Sequence, residues 1–125
     1  MYISHNINPY RKYTGDCVIR AIGIATNKSW DDVYLDIALE GFVMKEMPSD
    51  NDVWASYLKK EAFKRYIIPD SCPDCYTISD FANDNPVGKF ILATGSHVVP
   101  LIDGNYIDTW DSGQETVVYY FEKED

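Results

Sequence analysis

Apolar residues recur with helical spacing in the first half of the chain. Between Cys17 and Thr26 they occupy positions i, i+3, i+4 and i+7, which predicts a helix with one buried stripe, capped by the residues just before it. The same reasoning predicts three further helices: Ser29 to Gly41, a segment after Pro48 with Ser49 and Asp52 in capping-box spacing, and a short segment that begins at Thr77 and stops at Asn85-Pro86. The polar residues 1–13 predict an extended lead-in.

Shorter apolar runs dominate the second half and predict β-strands. Five are predicted: 63–68, 89–94, 97–102, 105–110 and 116–122. A turn at Asp103-Gly104 joins the middle pair as a hairpin. Helices first and an antiparallel meander afterwards give an α+β class, with the sheet packed against the first helix. Because the 125 residues contain no repeat or linker, residues 1–125 predict a single domain.

Charge and composition narrow the classes of partner. The chain has 11 Lys and Arg against 20 Asp and Glu, and this net charge of −9 argues against long DNA or RNA, whose binding relies on basic side chains. No run approaches the roughly 18 apolar residues that cross a bilayer, and residues 1–12 lack the apolar stretch of a secretory signal. We therefore expect no membrane partner and a cytoplasmic location.

Three cysteines are an odd number for a disulfide framework and favour reduced thiols. Cys72 and Cys75 form a lone CxxC motif. No second pair of similar spacing exists to complete a tetrahedral metal site, so structural thiols are favoured over metal ligands or a redox pair. We expect no metal and no organic cofactor.

Cys17 stands where the first helix begins. Unpaired backbone N–H groups and the positive end of the helix dipole favour a thiolate there, and the thiolate is the nucleophilic form. A nucleophilic cysteine needs a base that takes its proton and returns it to the leaving group. The chain has two histidines, His5 in the lead-in and His97 at the start of a predicted strand. His97 is the better placed base.

An imidazole also needs a third group that fixes its tautomer and orientation. If the hairpin loop is the three residues 103–105, the register places His97 opposite Asp111, and directly opposed side chains share one face of the sheet. A two-residue loop shifts the register and makes Asp108 the same-face carboxylate instead. The first arrangement is preferred, so the predicted catalytic set is Cys17, His97 and Asp111, with Asp108 as the alternative acid.

Three short motifs carry a resemblance to a known family: TGDC ending at Cys17, GSHVV beginning at Gly95, and NYIDTWDSG beginning at Asn105. In this order they resemble a compact papain-like cysteine peptidase, closest in style to the minimal bacterial domains that process bacteriocin leaders. In papain-like enzymes the third residue is an Asn or Asp followed by Ser, which matches Asp111-Ser112. The resemblance runs over residues 14–120 in element order and implies a papain-like α+β fold.

The chain as a whole also resembles small proteins of phages and prophages of Gram-positive bacteria, which implies the cytoplasm of an infected cell. Arg11 stands about where papain-like enzymes carry a glutamine that donates to the oxyanion. Its guanidinium suits an oxyanion beside the Cys17 N–H, and it equally suits a phosphate. Because Lys12 and Arg20 add nearby positive charge, the same pocket is also suited to a cyclic nucleotide.

The leading hypothesis is a papain-like thiol hydrolase. In this hypothesis Cys17 attacks a peptide or amide bond, His97 moves the proton, and Asp111 orients His97. The alternative is a viral anti-defence protein that cleaves or sequesters a cyclic nucleotide immune signal, and the third is a catalytically inactive interaction module. Tyr13 and Trp110 are expected as walls of the pocket. A homodimer is one way for so small a papain-like core to complete its cleft.

Overall fold

The computed structural model describes residues 1–69 and 75–124, which form an α+β fold. A short strand precedes the first helix, and the fourth helix lies between the second and third strands, so the chain is not simply helices followed by a meander. The elements in chain order are β1 Tyr2–Ser4, α1 Cys17–Thr26, α2 Trp30–Met44, α3 Asn51–Lys60, β2 Phe63–Ile67, α4 Ile78–Asp84, β3 Lys89–Ala93, β4 Val98–Ile102, β5 Asn105–Asp108 and β6 Tyr119–Lys123. The four predicted helices and five predicted strands are all present. In the described part of the chain, no helix is long and apolar enough to cross a membrane.

The strands form one sheet in the order β1-β5-β4-β3-β6-β2. All neighbours are antiparallel except β1, which runs parallel to β5 with Ser4 in register with Asp108. The sheet is therefore mixed and not a purely antiparallel meander, and three residues of the predicted extended lead-in form the strand β1, which was not predicted. Nothing local marks so short a strand, because its partner lies about a hundred residues along the chain.

Both faces of the sheet are covered. On β3, Ile91 packs into a cluster with α1, α2 and α3, whereas its neighbour Leu92 packs with α4 on the other side. Both side chains are fully buried, as expected when successive strand residues point to opposite faces. The packing of α1 on this sheet confirms the predicted layout and holds the start of α1 near the start of β4.

Two helix boundaries differ from the prediction. Gly41 lies inside α2 instead of ending it. A glycine is needed at this position because a Cβ would come within 2.8 Å of the Glu46 carbonyl oxygen. The left-handed residue that ends α2 is Lys45, with φ of 58°. At α3 the N-cap is Asp50 rather than Ser49, because the Asp50 carboxylate accepts a hydrogen bond from the Asp52 backbone N–H at 2.8 Å. The predicted capping box at the start of α4 is confirmed.

The hairpin between β4 and β5 turns on two residues, Asp103 and Gly104, both with positive φ. Two positive φ values match the right-handed twist of the flanking strands, which is why two-residue turns of this kind close hairpins. Ile102 therefore pairs with Asn105, and the preferred three-residue loop is wrong. The register of the site strands follows the two-residue alternative.

Candidate functional site

Cys17 and His97 meet where α1 begins and β4 begins. The Cys17 thiol lies beside the His97 side chain and the Val98 backbone, which both act on its pKa, and Cys17 and His97 line the same cleft. Cys17 is the first helical residue of α1 and is partly exposed, so its sulfur is accessible and lies at the positive end of the helix dipole. The structure thus brings together the two residues that the sequence paired across eighty positions.

The surroundings of Cys17 favour its ionised form. Burial by itself raises the pKa of the thiol, but the hydrogen bonds from His97 and Val98, with the positive charges of His97 and Arg20, lower the pKa below its ordinary value. His97 changes in the opposite sense: its hydrogen bond to Asp108, and then that to Cys17, raise the pKa of the imidazole to about 9 against the effect of burial. Both shifts favour a thiolate beside an imidazolium.

Asp108 is the acid that holds His97. The Nε2 atom of His97 lies 2.6 Å from Oδ2 of Asp108, which leaves Nδ1 as the ring nitrogen available to the sulfur. Trp110 packs against the imidazole with ring centroids 5.2 Å apart. These contacts fix both the tilt of the imidazole and the nitrogen that faces Cys17.

The preference for Asp111 as this acid is corrected by the register. Oδ1 of Asp111 accepts hydrogen bonds from the Tyr106 hydroxyl at 2.6 Å and from the Gly113 backbone at 3.0 Å, so its carboxylate closes the turn after β5. With Ile102 paired to Asn105, counting along the two strands sets His97 opposite Trp110 and beside Asp108. The two-residue loop alternative is the one that matches the geometry.

The Asp108 carboxylate is 2% exposed and accepts four hydrogen bonds. Besides His97, they come from the Ser112 hydroxyl at 2.8 Å, the Thr109 backbone at 2.7 Å and Nη1 of Arg20 at 3.2 Å. Burial raises the pKa of Asp108, but these donors outweigh burial and hold the pKa below its ordinary value. The carboxylate therefore stays ionised beside His97.

A second buried carboxylate extends the network to the base of α1. Asp16 accepts from Nε of Arg20 at 2.9 Å, and its other oxygen accepts from Asn8 and from the Trp30 indole. Arg20 thus bridges Asp16, the residue before Cys17, to Asp108 on β5. The sequence analysis missed this bridge, although Asp16 and Arg20 are four residues apart on a helix and therefore adjacent on its surface.

A cleft of about 300 Å³ opens over the sulfur. Its walls include Tyr13 and Trp110, as predicted, together with Lys12. Arg11 is not among the residues that line it. The backbone of Arg11 turns left-handed, with φ of 54°, and its side chain is exposed, so Lys12 takes the place predicted for Arg11. Because α1 begins at Cys17, the backbone N–H of Cys17 has no partner within the helix.

A second pocket of about 370 Å³ lies on the other side of Cys17, between α1, α2 and the start of α3. Its lining is mainly apolar: Val18, Ile19, Ile37, Ala38, Pro48 and Trp54 contribute beside Tyr34 and Ser49. Gly15 and Asp16 line both this pocket and the cleft, so the two spaces adjoin at the loop before the nucleophile.

Of the other two cysteines, the structure describes Cys75, which does not line the cleft. Cys72 lies outside the described residues, so the interpretation of the CxxC pair as a unit lies outside them too. Cys75 is disulfide-bonded, which overturns the expectation of a thiol at that position. Within residues 1–69 and 75–124, no group of His, Cys, Asp and Glu side chains is arranged to hold a metal ion.

The first prediction concerns the thiolate. At about pH 6 we expect iodoacetamide to alkylate Cys17 at least tenfold faster than a free model thiol, because a lowered pKa leaves more of the sulfur ionised. His97→Ala removes the hydrogen bond and the charge that lower this pKa, so the rate at that pH falls about tenfold and recovers in alkali. His5→Ala, at the exposed second histidine, is the control and leaves the rate unchanged. Alkylation no faster than the model thiol would contradict the ion pair.

The second prediction concerns the buried bridge. Arg20→Met leaves Asp16 and Asp108 as buried charges without their shared cation, and removing one partner of a buried pair costs about 3–5 kcal/mol of unfolding free energy. Urea denaturation measures the loss. Lys59→Met, an equivalent change at an exposed position of α3, is the control and costs less than about 0.5 kcal/mol. Equal midpoints for the two variants would show that the bridge contributes nothing.

No family model, curated protein or solved structure matches this chain. The likeness to papain-like peptidases therefore stays a prediction from short motifs. What the chain can do is argued from the surroundings of Cys17, His97 and Asp108.

Proposed function

We propose that the protein is a papain-like thiol hydrolase that acts on a peptide or amide bond. The observation that carries the proposal is the series Cys17, His97 and Asp108, in which His97 is hydrogen-bonded to Asp108 and faces Cys17 across one cleft, with the pKa of the thiol lowered and that of the imidazole raised. A nucleophile, a base and an orienting acid in contact are what covalent acyl transfer needs. No metal or organic cofactor is required.

The proposed reaction has two steps. The Cys17 thiolate attacks the carbonyl carbon, the oxyanion is stabilised by the Cys17 backbone N–H, and the His97 imidazolium gives its proton to the leaving amine as the C–N bond breaks. Neutral His97 then takes a proton from water, whose oxygen attacks the thioester carbon. Cys17 leaves as a thiolate, and the imidazolium is restored.

The surroundings of Cys17 favour an amide substrate with an apolar side chain over a cyclic nucleotide. The pocket beside the sulfur is lined mainly by apolar residues, which suits a hydrocarbon side chain near the scissile bond. Two of the three cations that motivated the phosphate hypothesis are unsuitable: Arg20 is buried between two carboxylates, and Arg11 does not line the cleft. Lys12 and Arg20 both line the cleft, and of these two Lys12 is the one that is exposed and not held between carboxylates.

The cellular setting belongs to the same proposal. A partly exposed thiolate such as Cys17 is oxidised readily, which favours the cytoplasm, and the disulfide at Cys75 must then persist in that reducing compartment. The resemblance to phage and prophage proteins places that cytoplasm in an infected bacterium. Long nucleic acids and membranes are not among the proposed partners, because the net charge of −9 repels both.

The third prediction identifies the orienting acid. With a library of fluorogenic peptidyl amides, Cys17→Ala abolishes turnover, and Asp108→Asn lowers kcat roughly 10²–10⁴-fold because an amide neither stabilises the imidazolium nor fixes its tautomer. Asp111→Asn is the matched control. It keeps an acceptor oxygen for the Tyr106 hydroxyl and changes kcat less than about threefold.

Several outcomes would count against the hydrolase. If Cys17 is alkylated rapidly yet the wild-type protein cleaves no peptide of the library, the peptide or amide substrate is wrong. Heat from binding of a cyclic dinucleotide in calorimetry would then favour the nucleotide alternative. An unreactive Cys17 together with no turnover would leave the inactive interaction module.

The fourth prediction tests where the substrate lies. A Cβ built at Gly15 meets nothing within 4 Å, and Gly15 lines both the cleft and the apolar pocket. Gly15→Leu therefore fills the space where the cleft and the apolar pocket adjoin without disturbing the fold. We expect KM to rise at least about tenfold, while the small reagent iodoacetamide still alkylates Cys17. Gly95→Leu is the control, since its Cβ also meets nothing within 4 Å. Equal KM values for the two variants would place the substrate elsewhere.

A further inference from the structure

One face of α2 is apolar but covered by nothing in the part of the chain that the structure describes. Leu35, Leu39, Phe42 and Val43 are spaced i, i+4, i+7 and i+8, so they form one stripe along the helix. Each is 61–68% exposed. We call these four residues the α2 stripe. Four exposed large apolar residues at one helical spacing form a contiguous apolar patch, and such a patch indicates a surface that a partner covers.

Charges at the two ends of the α2 stripe indicate what covers it. Asp31 precedes Phe42 by eleven residues, close to three full turns, so it lies along the same edge of the helix. At the other end, the Lys45 ammonium sits 4.0 Å from the centroid of the Phe42 ring and therefore also marks that edge. The edge is thus negative at its start and positive at its end. A second α2 helix running the opposite way presents the complementary order.

We propose that the α2 stripe is the interface of a homodimer, in which two α2 helices pack antiparallel about a two-fold axis near Leu39. A two-fold axis perpendicular to the plane of the two helices sets each edge against itself with its ends exchanged, so Asp31 of one copy meets Lys45 of the other. The midpoint between these two positions is residue 38, beside Leu39 at the centre of the stripe. The same two-fold axis therefore pairs the opposite charges and lies at the centre of the α2 stripe.

The area is adequate for such a pair. The four side chains, each 61–68% exposed, form a patch in the range of roughly 300–600 Å² that is typical of the largest apolar patch on a monomer, and such a patch is often functional. Met47, which is 67% exposed just beyond α2, and the flanking charged residues bring the buried surface toward the ~800 Å² per partner of a standard interface. Tyr34 on the same helix lines the apolar pocket beside Cys17, so the second copy would border that pocket.

The fifth prediction is that the protein forms a dimer that a substitution within the α2 stripe weakens and a substitution elsewhere does not. In sedimentation velocity at about 1–200 µM protein, we expect the wild-type mass to approach twice the 14.3 kDa of the chain. Leu39→Glu places a charge at the centre of the stripe and weakens association at least ~100-fold, and its far-UV circular dichroism stays native because the side chain is already 61% exposed. Val87→Glu, at a 78% exposed apolar residue between α4 and β3, is the matched control and leaves the dimer intact.

A charge exchange tests the antiparallel order. Asp31→Lys alone and Lys45→Asp alone each set like charges against each other and weaken the dimer about tenfold, whereas the double variant restores the wild-type dissociation constant within about threefold. A monomer at every concentration overturns the proposal and leaves the stripe to a different partner. A dimer that survives Leu39→Glu, or a double variant that is not restored, overturns the assigned interface.

Discussion

The carboxylate of Asp108 is the single group on which the rest of the site depends. It is buried at the end of β5 and receives donors from three directions: His97 at the start of β4, Arg20 on α1, and Thr109 with Ser112 in the following turn. Each donor belongs to a different part of the fold, so one side chain fixes their relative positions. An ionised carboxylate can be buried at acceptable cost only when its lone pairs are all used, and these are.

Charges alternate through this interior. The acidic groups Asp16, Asp108 and Cys17 are separated by the basic groups Arg20 and His97, and each group interacts with the next. Burial raises the pKa of each carboxyl and of the thiol, whereas the basic neighbours and the hydrogen-bond donors lower these pKa values below their ordinary range. The low pKa of the Cys17 thiol is thus the outward end of a charge series that begins under α1. We infer that the network serves the reactivity of the sulfur more than the stability of the fold.

The sequence predicted what is local and missed what is distant. Helices and strands followed from apolar spacing, caps and turn residues, and the pairing of Cys17 with His97 followed from the chemistry a thiolate needs. The short β1 was missed because its parallel partner lies far along the chain. Arg20 was counted as a surface cation because composition does not reveal burial, although the four-residue spacing from Asp16 was visible. The choice between Asp108 and Asp111 turned on a single residue of loop length.

That last ambiguity explains how a turn outside the site determines its chemistry. Side chains alternate faces along a strand, so a shift of one residue in the hairpin exchanges which carboxylate faces the imidazole. The shift is fixed by the positive φ values at Asp103 and Gly104, and by the close approach of the turn to Pro86, 3.3 Å from a Cβ placed at Gly104. A larger residue at Gly104 would oppose both constraints. The acid beside His97 is therefore selected by backbone geometry at the opposite end of the hairpin, which no inspection of the site residues alone would reveal.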